Sequence, residues 1–243
     1  MEPESRTVVR SPGSERVLVI MAKAPRPGAV KTRLASCLSP NAVIAFYRCL
    51  LDDSLELARS LGSVEVAIMC PESDTEELAR LAGEKATVIA QKGDGLAAAL
   101  TSVFAHFTEL QARRVIAFNS DSPHLPRSVL EEAFERLAAH DVVVGPTYDG
   151  GYYLVGAKAF HPTLFGRDGM GTSSALEKLL ARVRDLELSA ALVEPFYDVD
   201  VCDDLTRLAA ELRIAPDRAP RTATWLKDSE SVMAHSEPDT EER

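Results

Sequence analysis

The sequence has 243 residues, 46% of them apolar, which is enough for one large α/β domain or two small ones. No apolar run approaches the roughly 20 residues that cross a bilayer, so a helical membrane span is excluded. A formal net charge of -10 counts against a general nucleic-acid binder, for which a basic face is expected.

Met1 to Glu15 is polar and proline-broken, without the apolar centre of a secretory leader. It reads as a flexible segment, 1–15. Val17–Met21 then forms an apolar run built for a buried strand, and it ends in a loop where four of the eleven residues from Lys23 to Arg33 are basic: Lys23, Arg26, Lys31 and Arg33. Pro25, Pro27 and Gly28 fix the path of that loop. In an open α/β sheet, ligands sit beyond the carboxyl ends of the strands, so cations placed there await an anion such as a nucleotide polyphosphate. The loop is not a Walker A motif, because Val30 precedes Lys31 and Arg26 stands five residues before it, where that motif carries glycines. A turn with solvated cations is the plain alternative.

Further strands are expected at Val64–Met69, Thr87–Ala90, Val115–Phe118, Val142–Gly145, Tyr152–Gly156 and Leu188–Val193. Ser39-Pro40 reads as an N-cap with proline in the first turn, opening a helix whose Val43, Phe46, Tyr47, Leu50, Leu57 and Leu61 share one face. Helices are also expected at Glu76–Leu81, Leu96–Phe107, Val129–Ala139, Ser173–Val183 and Asp203–Leu212. This alternation predicts a mostly parallel sheet with helices on both faces. Residues 16–227 read as one domain, since no internal repeat or linker interrupts them. Asp228 to Arg243 holds six acids and one base, and 228–243 reads as an acidic disordered tail. Cys37, Cys49, Cys70 and Cys202 form no C-x-x-C pair, which predicts neither a zinc site nor a disulfide framework, and a reducing, cytoplasmic setting.

Three further segments carry polar chemistry. Asp121 follows the Val115–Phe118 strand and shares the rim of the basic loop; a divalent cation such as Mg²⁺ (or Mn²⁺) would let it face a polyphosphate. Asp198 and Asp200 lie on an extended approach to a helix, pointing the same way, so Asp121 and Asp200 are candidates to share one metal ion. Asp203 or Asp204 serves the helix N-terminus. Asp149-Gly150-Gly151-Tyr152-Tyr153 is a strong turn signal that also permits close approach to a ligand. Gly169-Met170-Gly171-Thr172-Ser173-Ser174 reads as a capped helix start able to hold an anion.

Taken in order, Ala22 to Leu34, Ser120-Asp121-Ser122-Pro123, Asp149 to Leu154, Gly171-Thr172 and Asp198-Val199-Asp200 resemble a family of bacterial GT-A-like nucleotide-dependent transferases. Its members are often named arsenosugar-biosynthesis or radical-SAM-associated glycosyltransferases. They are distantly similar to phospholactate guanylyltransferase and the molybdenum-cofactor nucleotidyltransferases. The resemblance covers about Val17 to Leu226. It implies a single GT-A (nucleotide-diphospho-sugar transferase) fold. It also implies nucleotide contacts from Ala22, Lys23, Pro27, Gly28, Lys31, Arg33, Gly93 and Asp94, metal ligation by Asp121 and Asp200, and an acceptor side near Asp149, Gly150, Gly151, Tyr152 and Thr172. Departures fall at Asn119, where Gly is usual, His124, where Asp is usual, Tyr148, where an acid is common, and Val201-Cys202, where Thr-Pro is usual.

The expected partners are a nucleotide (NTP or nucleotide sugar) and a small-molecule acceptor, with no nucleic acid and no membrane. A nucleotidyltransferase would use Lys31 and Arg33 on the reacting phosphates and release pyrophosphate. A glycosyltransferase would hold a nucleotide-diphosphate sugar, with Asp149 as acceptor-side base. An inactive nucleotide-binding module is the third reading, against which the paired carboxylates stand.

Overall fold

The structure, a computed structural model, describes residues 14–166 and 172–234. Seven strands, β1 (Arg16–Met21), β2 (Glu65–Cys70), β3 (Thr87–Ala90), β4 (Arg114–Asn119), β5 (Val142–Pro146), β6 (Tyr152–Ala157) and β7 (Ala190–Leu192), form one sheet in the order β3-β2-β1-β4-β6-β5-β7. Each strand lies where the apolar runs place it, with ends moved by no more than two residues. Only β6 runs antiparallel to its neighbours. The mostly parallel α/β fold is thus the expected one.

Six helices follow the expected order: α1 (Pro40–Ser60), α2 (Thr75–Ala82), α3 (Gly95–Glu109), α4 (Arg127–Ala139), α5 (Ala175–Asp185) and α6 (Cys202–Ile214). Ser39 caps α1 by accepting from the Ala42 N–H. The helix α1 is amphipathic along two stripes. Leu51, Leu55 and Ala58 pack with Leu78 of α2 and Leu130 and Phe134 of α4 on one face of the sheet. Leu100, Phe104 and Phe107 of α3 cover the other face, with Leu179 and Val183 of α5. Phe46, Tyr47 and Leu50 build a third cluster with Leu34, Tyr197, Val199 and Leu208.

One helix is unannounced in the sequence reading: α7 (Pro220–Ala234) packs on α1, with Trp225 5.1 Å from Phe46, ring to ring. The Asp53 carboxylate accepts the Arg221 and Thr222 N–H groups at its start. The tail boundary expected at 228 therefore falls inside a helix. Residues 1–13, 235–243 and 167–171 lie outside the described residues, and with them Gly169-Met170-Gly171. Among the described residues, no helix is long and apolar enough to cross a membrane.

Strand order reverses between β1 and β4, which are direct neighbours. A crevice opens at the carboxyl ends of strands at such a reversal. Both the basic loop and Asp121 leave the sheet there.

Candidate functional site

A cavity of about 660 Å³ occupies this crevice, and Ala22, Lys23, Lys31, Arg33, Tyr47, Gln91, Asp94, Ser120, Asp121 and Asp200 are among its walls. Its walls also include the apolar Met21, Met69, Pro71, Leu96 and Ala99. Leu96 is 44% exposed, an apolar side chain presented to the opening rather than to the core.

The basic loop is held open by specific bonds. Ala22 N–H donates to Met69 O, Lys23 N–H to the Tyr47 hydroxyl, and Ala24 N–H to the buried Asp74 carboxylate. The Tyr47 hydroxyl also lies 3.2 Å from Ser120 Oγ, joining the loop to the β4 rim. Lys31 adopts a left-handed backbone (φ 47°), an uncommon geometry for a residue with a side chain, and it begins the 3-10 turn Thr32–Ser36 that carries Arg33.

Asp121 and Asp200 do converge, and the Lys31 ammonium stands between them, 2.7 Å from Asp121 Oδ1 and 2.8 Å from Asp200 Oδ1. Arg33 lies 3.3 Å from Asp200 Oδ2. The Lys31 side chain is only 4% exposed. Burial works against its charge, but the two carboxylates outweigh that and raise its pKa above the ordinary lysine value.

A set of bonds stitches the two carboxylate segments together. Val199 N–H donates to Asp121 O, and the Ser122 hydroxyl reaches Tyr197 O and Asp198 Oδ1. Asn119 Nδ2 donates to the same Asp198 oxygen at 2.7 Å. Burial, with Asp121 adding repulsion, pushes Asp198 up to about 6. Asp204, on the first turn of α6, reaches back to accept the Asp200 and Val201 N–H groups, the expected helix-start role.

Other expectations meet a different outcome. Arg26 turns away from the cavity: its guanidinium binds Asp74, Glu77 and Ser73 O, anchoring the loop to the start of α2. A guanidinium that already fills two carboxylates is no phosphate ligand, so the basic cluster offers three cations there, not four. Pro27, Gly28 and Gly93 shape their turns without lining the cavity, while their neighbours Asp94 and Gly95 do.

Asp149, Gly150, Gly151, Tyr152 and Thr172 are not among the cavity's walls. The Thr147 hydroxyl, more than the Gly151 N–H, holds the Asp149 carboxyl below the usual range. Such a carboxylate is a weak proton acceptor. Gly150 (φ 89°) presses against the Ser173 carbonyl so closely that any Cβ would collide, and its own carbonyl accepts from Leu176 N–H. Tyr153 lies over Gly145 and donates to Glu194 O.

His124 is fully buried between the Phe196 and Tyr197 rings, with centroids 4.8 and 4.7 Å away. Burial, then Arg218 and Arg207, lower its pKa to about 3, so it is neutral and packed as a loop residue.

The cysteine reading needs correction. Cys37, directly after the Thr32–Ser36 turn, is disulfide-bonded to Cys202, the first residue of α6. Cys49 and Cys70 are free. Pairs 165 residues apart leave no spacing signal in a sequence; the fold alone brings them together.

The mostly parallel seven-stranded α/β fold matches that of nucleotide-diphospho-sugar transferase structures. A family model described as "Uncharacterized protein conserved in bacteria (DUF2064)" matches residues 54–172, just under half of the chain. A crystal structure from Desulfovibrio desulfuricans G20, described as a "putative nucleotide-diphospho-sugar transferase", is 25% identical. It covers 93% of this chain and 100% of its own, with a TM-score of 0.83. The inositol-1-phosphate CTP transferase of T. maritima is 13% identical over 83% of this chain and 96% of its own, with a TM-score of 0.55. The 4-diphosphocytidyl-2C-methyl-D-erythritolsynthase of Anaerococcus prevotii DSM 20548 is 10% identical over 82% and 97%, with a TM-score of 0.54. At those identities the last two carry the fold alone. No curated protein matches the sequence.

Proposed function

We propose that the protein is a metal-dependent nucleotidyltransferase that joins an NTP to a phosphorylated small molecule and releases pyrophosphate. The observation that carries this reading is the convergence of Lys31, Arg33, Asp121 and Asp200 on a cavity that apolar side chains also line. A base would lie against Met21, Leu96 and Ala99, and the phosphates would run toward Lys23, Lys31 and Arg33.

The donor set fits Mg²⁺ or Mn²⁺. Two carboxylates already converge on one positive charge, and their oxygens are hard ligands. Among the described residues no group of three His, Cys, Asp or Glu side chains could hold a metal by itself. Mg²⁺ is commonly bound by one or two carboxylates, with substrate phosphates and water completing the shell. When bound, the ion supplies Lewis-acid stabilisation of phosphate charge.

The rest of the chemistry falls to the chain. Lys31, drawn off the carboxylates by a phosphate, neutralises charge where it develops, and Arg33 orients a phosphate oxygen with its planar fork. Tyr47 and Asp74 hold the loop so that little ordering is left to binding. No protein nucleophile is required, because an acceptor phosphate is already ionised.

A second reading, glycosyl transfer from a nucleotide-diphosphate sugar, is favoured by two observations. Arg26 is diverted, which leaves fewer cations than a triphosphate would use. The 25% identical structure is also described as a "putative nucleotide-diphospho-sugar transferase". Asp149 would then be the acceptor-side base, a role that its lowered pKa does not help.

The leaving group separates the two. With Mg²⁺, each NTP and a pool of phosphorylated metabolites, pyrophosphate release is expected. Nucleoside diphosphate release from a sugar donor, with no pyrophosphate from any NTP, would replace the first reading by the second.

A further inference from the structure

We infer that the Cys37–Cys202 disulfide is a redox handle on the nucleotide cavity, reduced by a dithiol and resting on the proposed nucleotide reading of that cavity. It joins the two segments whose charges define the site. Cys37 ends the Thr32–Ser36 turn that begins at Lys31 and carries Arg33, and Cys202 lies two residues after Asp200. Three ties cross that one gap: the Lys31–Asp200 bond at 2.8 Å, the Arg33–Asp200 pair at 3.3 Å, and the covalent link. The Ser36 hydroxyl adds a contact of 3.1 Å to Cys202 Sγ.

The Arg33–Asp200 tie is a weak holder of the turn, because Arg33 is 62% exposed and Asp200 42%. Of the turn's five residues only Leu34 is buried. The disulfide adds a covalent restraint between Thr32–Ser36 and α6, beside the packing of the buried Leu34 against Leu208. Cys37 is exposed and Cys202 half-buried, so a reductant can reach the bond.

The exchange balances. A thiolate of an external dithiol attacks Cys37 Sγ, the Sγ–Sγ bond breaks, and Cys202 leaves as thiolate and takes up a proton. The second thiol of the reductant then displaces Cys37 from the mixed disulfide, so two electrons and two protons reach the protein and the reductant becomes a disulfide. In the oxidised form Lys31 and Arg33 are pre-positioned beside Asp200. Reduction leaves the turn to be ordered by the ligand, which weakens binding.

Three readouts test this. Alkylation of the denatured protein should add two labels before dithiothreitol treatment, on Cys49 and Cys70, and four after it. Hydrogen exchange of residues 31–38 and 200–206 should quicken at least about tenfold on reduction, with the β4 and β6 amides unchanged. Calorimetry with Mg²⁺ and ATP, GTP, CTP and UTP in turn should show at least about fivefold weaker binding after reduction, reproduced by Cys37→Ser and Cys202→Ser. Four labels before reduction, unchanged exchange, or equal or tighter affinity after reduction overturns the inference. If no nucleotide binds in either state, the nucleotide reading fails instead, and the exchange rates decide whether the bond controls the turn.

Discussion

The rim of the β1–β4 crevice and the β5–β6 turn both carry carboxylates and glycines after a strand, yet the structure uses them differently. At the crevice, Asp121 and Asp200 come from segments far apart in sequence and meet over an ammonium, with cavity beside them. In the turn, Asp149 is satisfied by Thr147 and Gly151, and Gly150 is pinned against Ser173. A carboxylate whose bonds close within five residues serves its own turn. Asp121 and Asp200, brought together from across the fold, instead face a cavity.

The comparison breaks most sharply at Asp121 and Asp200. Asp121→Asn and Asp200→Asn should each lower metal-dependent turnover by about 100-fold or more, beyond the 10–100-fold that changes outside the ligand shell typically cost. Circular dichroism should show the fold retained, and activity in excess chelator would contradict the assignment. Lys31→Ala comes next. Loss of a charged hydrogen bond of ~1.5–3 kcal/mol should weaken nucleotide binding by about tenfold or more in calorimetry. Arg33→Ala should cost less, since Arg33 is more exposed.

On the other side of the comparison, Gly150→Ala should cost about 1–3 kcal/mol of stability, read as a lower melting temperature, while leaving nucleotide affinity intact. Asp198 sharpens the crevice side through pH. Its folded pKa of about 6 lies above the ordinary aspartate value of about 3.9, so the folded state binds the proton more tightly. Its contribution to stability is present below about pH 4 and is lost as pH rises toward about 6; Asp198→Asn should flatten that slope in denaturant titrations. The smallest effect is expected at Arg26. Arg26→Ala should change stability by under about 1 kcal/mol and leave nucleotide affinity unaltered.

Much of this was legible in the sequence because it is local. Continuous apolar runs marked the strands, Ser39-Pro40 marked the start of α1, and a cation-rich loop after the first strand marked the crevice. Pairing across the fold was not legible. Nothing near Arg26 announces that Asp74 and Glu77 take its charge, nor does Cys37 point to Cys202. Asn119 stood out as a departure from the family, but its role as the clamp on Asp198 depends on an approach of chain 79 residues away. Helix α7 was missed because its anchor is tertiary: the Asp53 carboxylate and the Phe46 ring hold a segment whose own periodicity is weak.

The central claim is that the crevice holds a nucleotide with its phosphates on Lys31 and Arg33 and a metal on Asp121 and Asp200. Calorimetric titration of the wild type and Asp121→Asn with each NTP and common nucleotide sugars, with and without Mg²⁺, tests it most directly. The account predicts that a nucleotide ligand binds the wild type more tightly when Mg²⁺ is present, and that Asp121→Asn loses this metal-dependent gain. Nucleotide binding that is indifferent both to Mg²⁺ and to Asp121→Asn would contradict it.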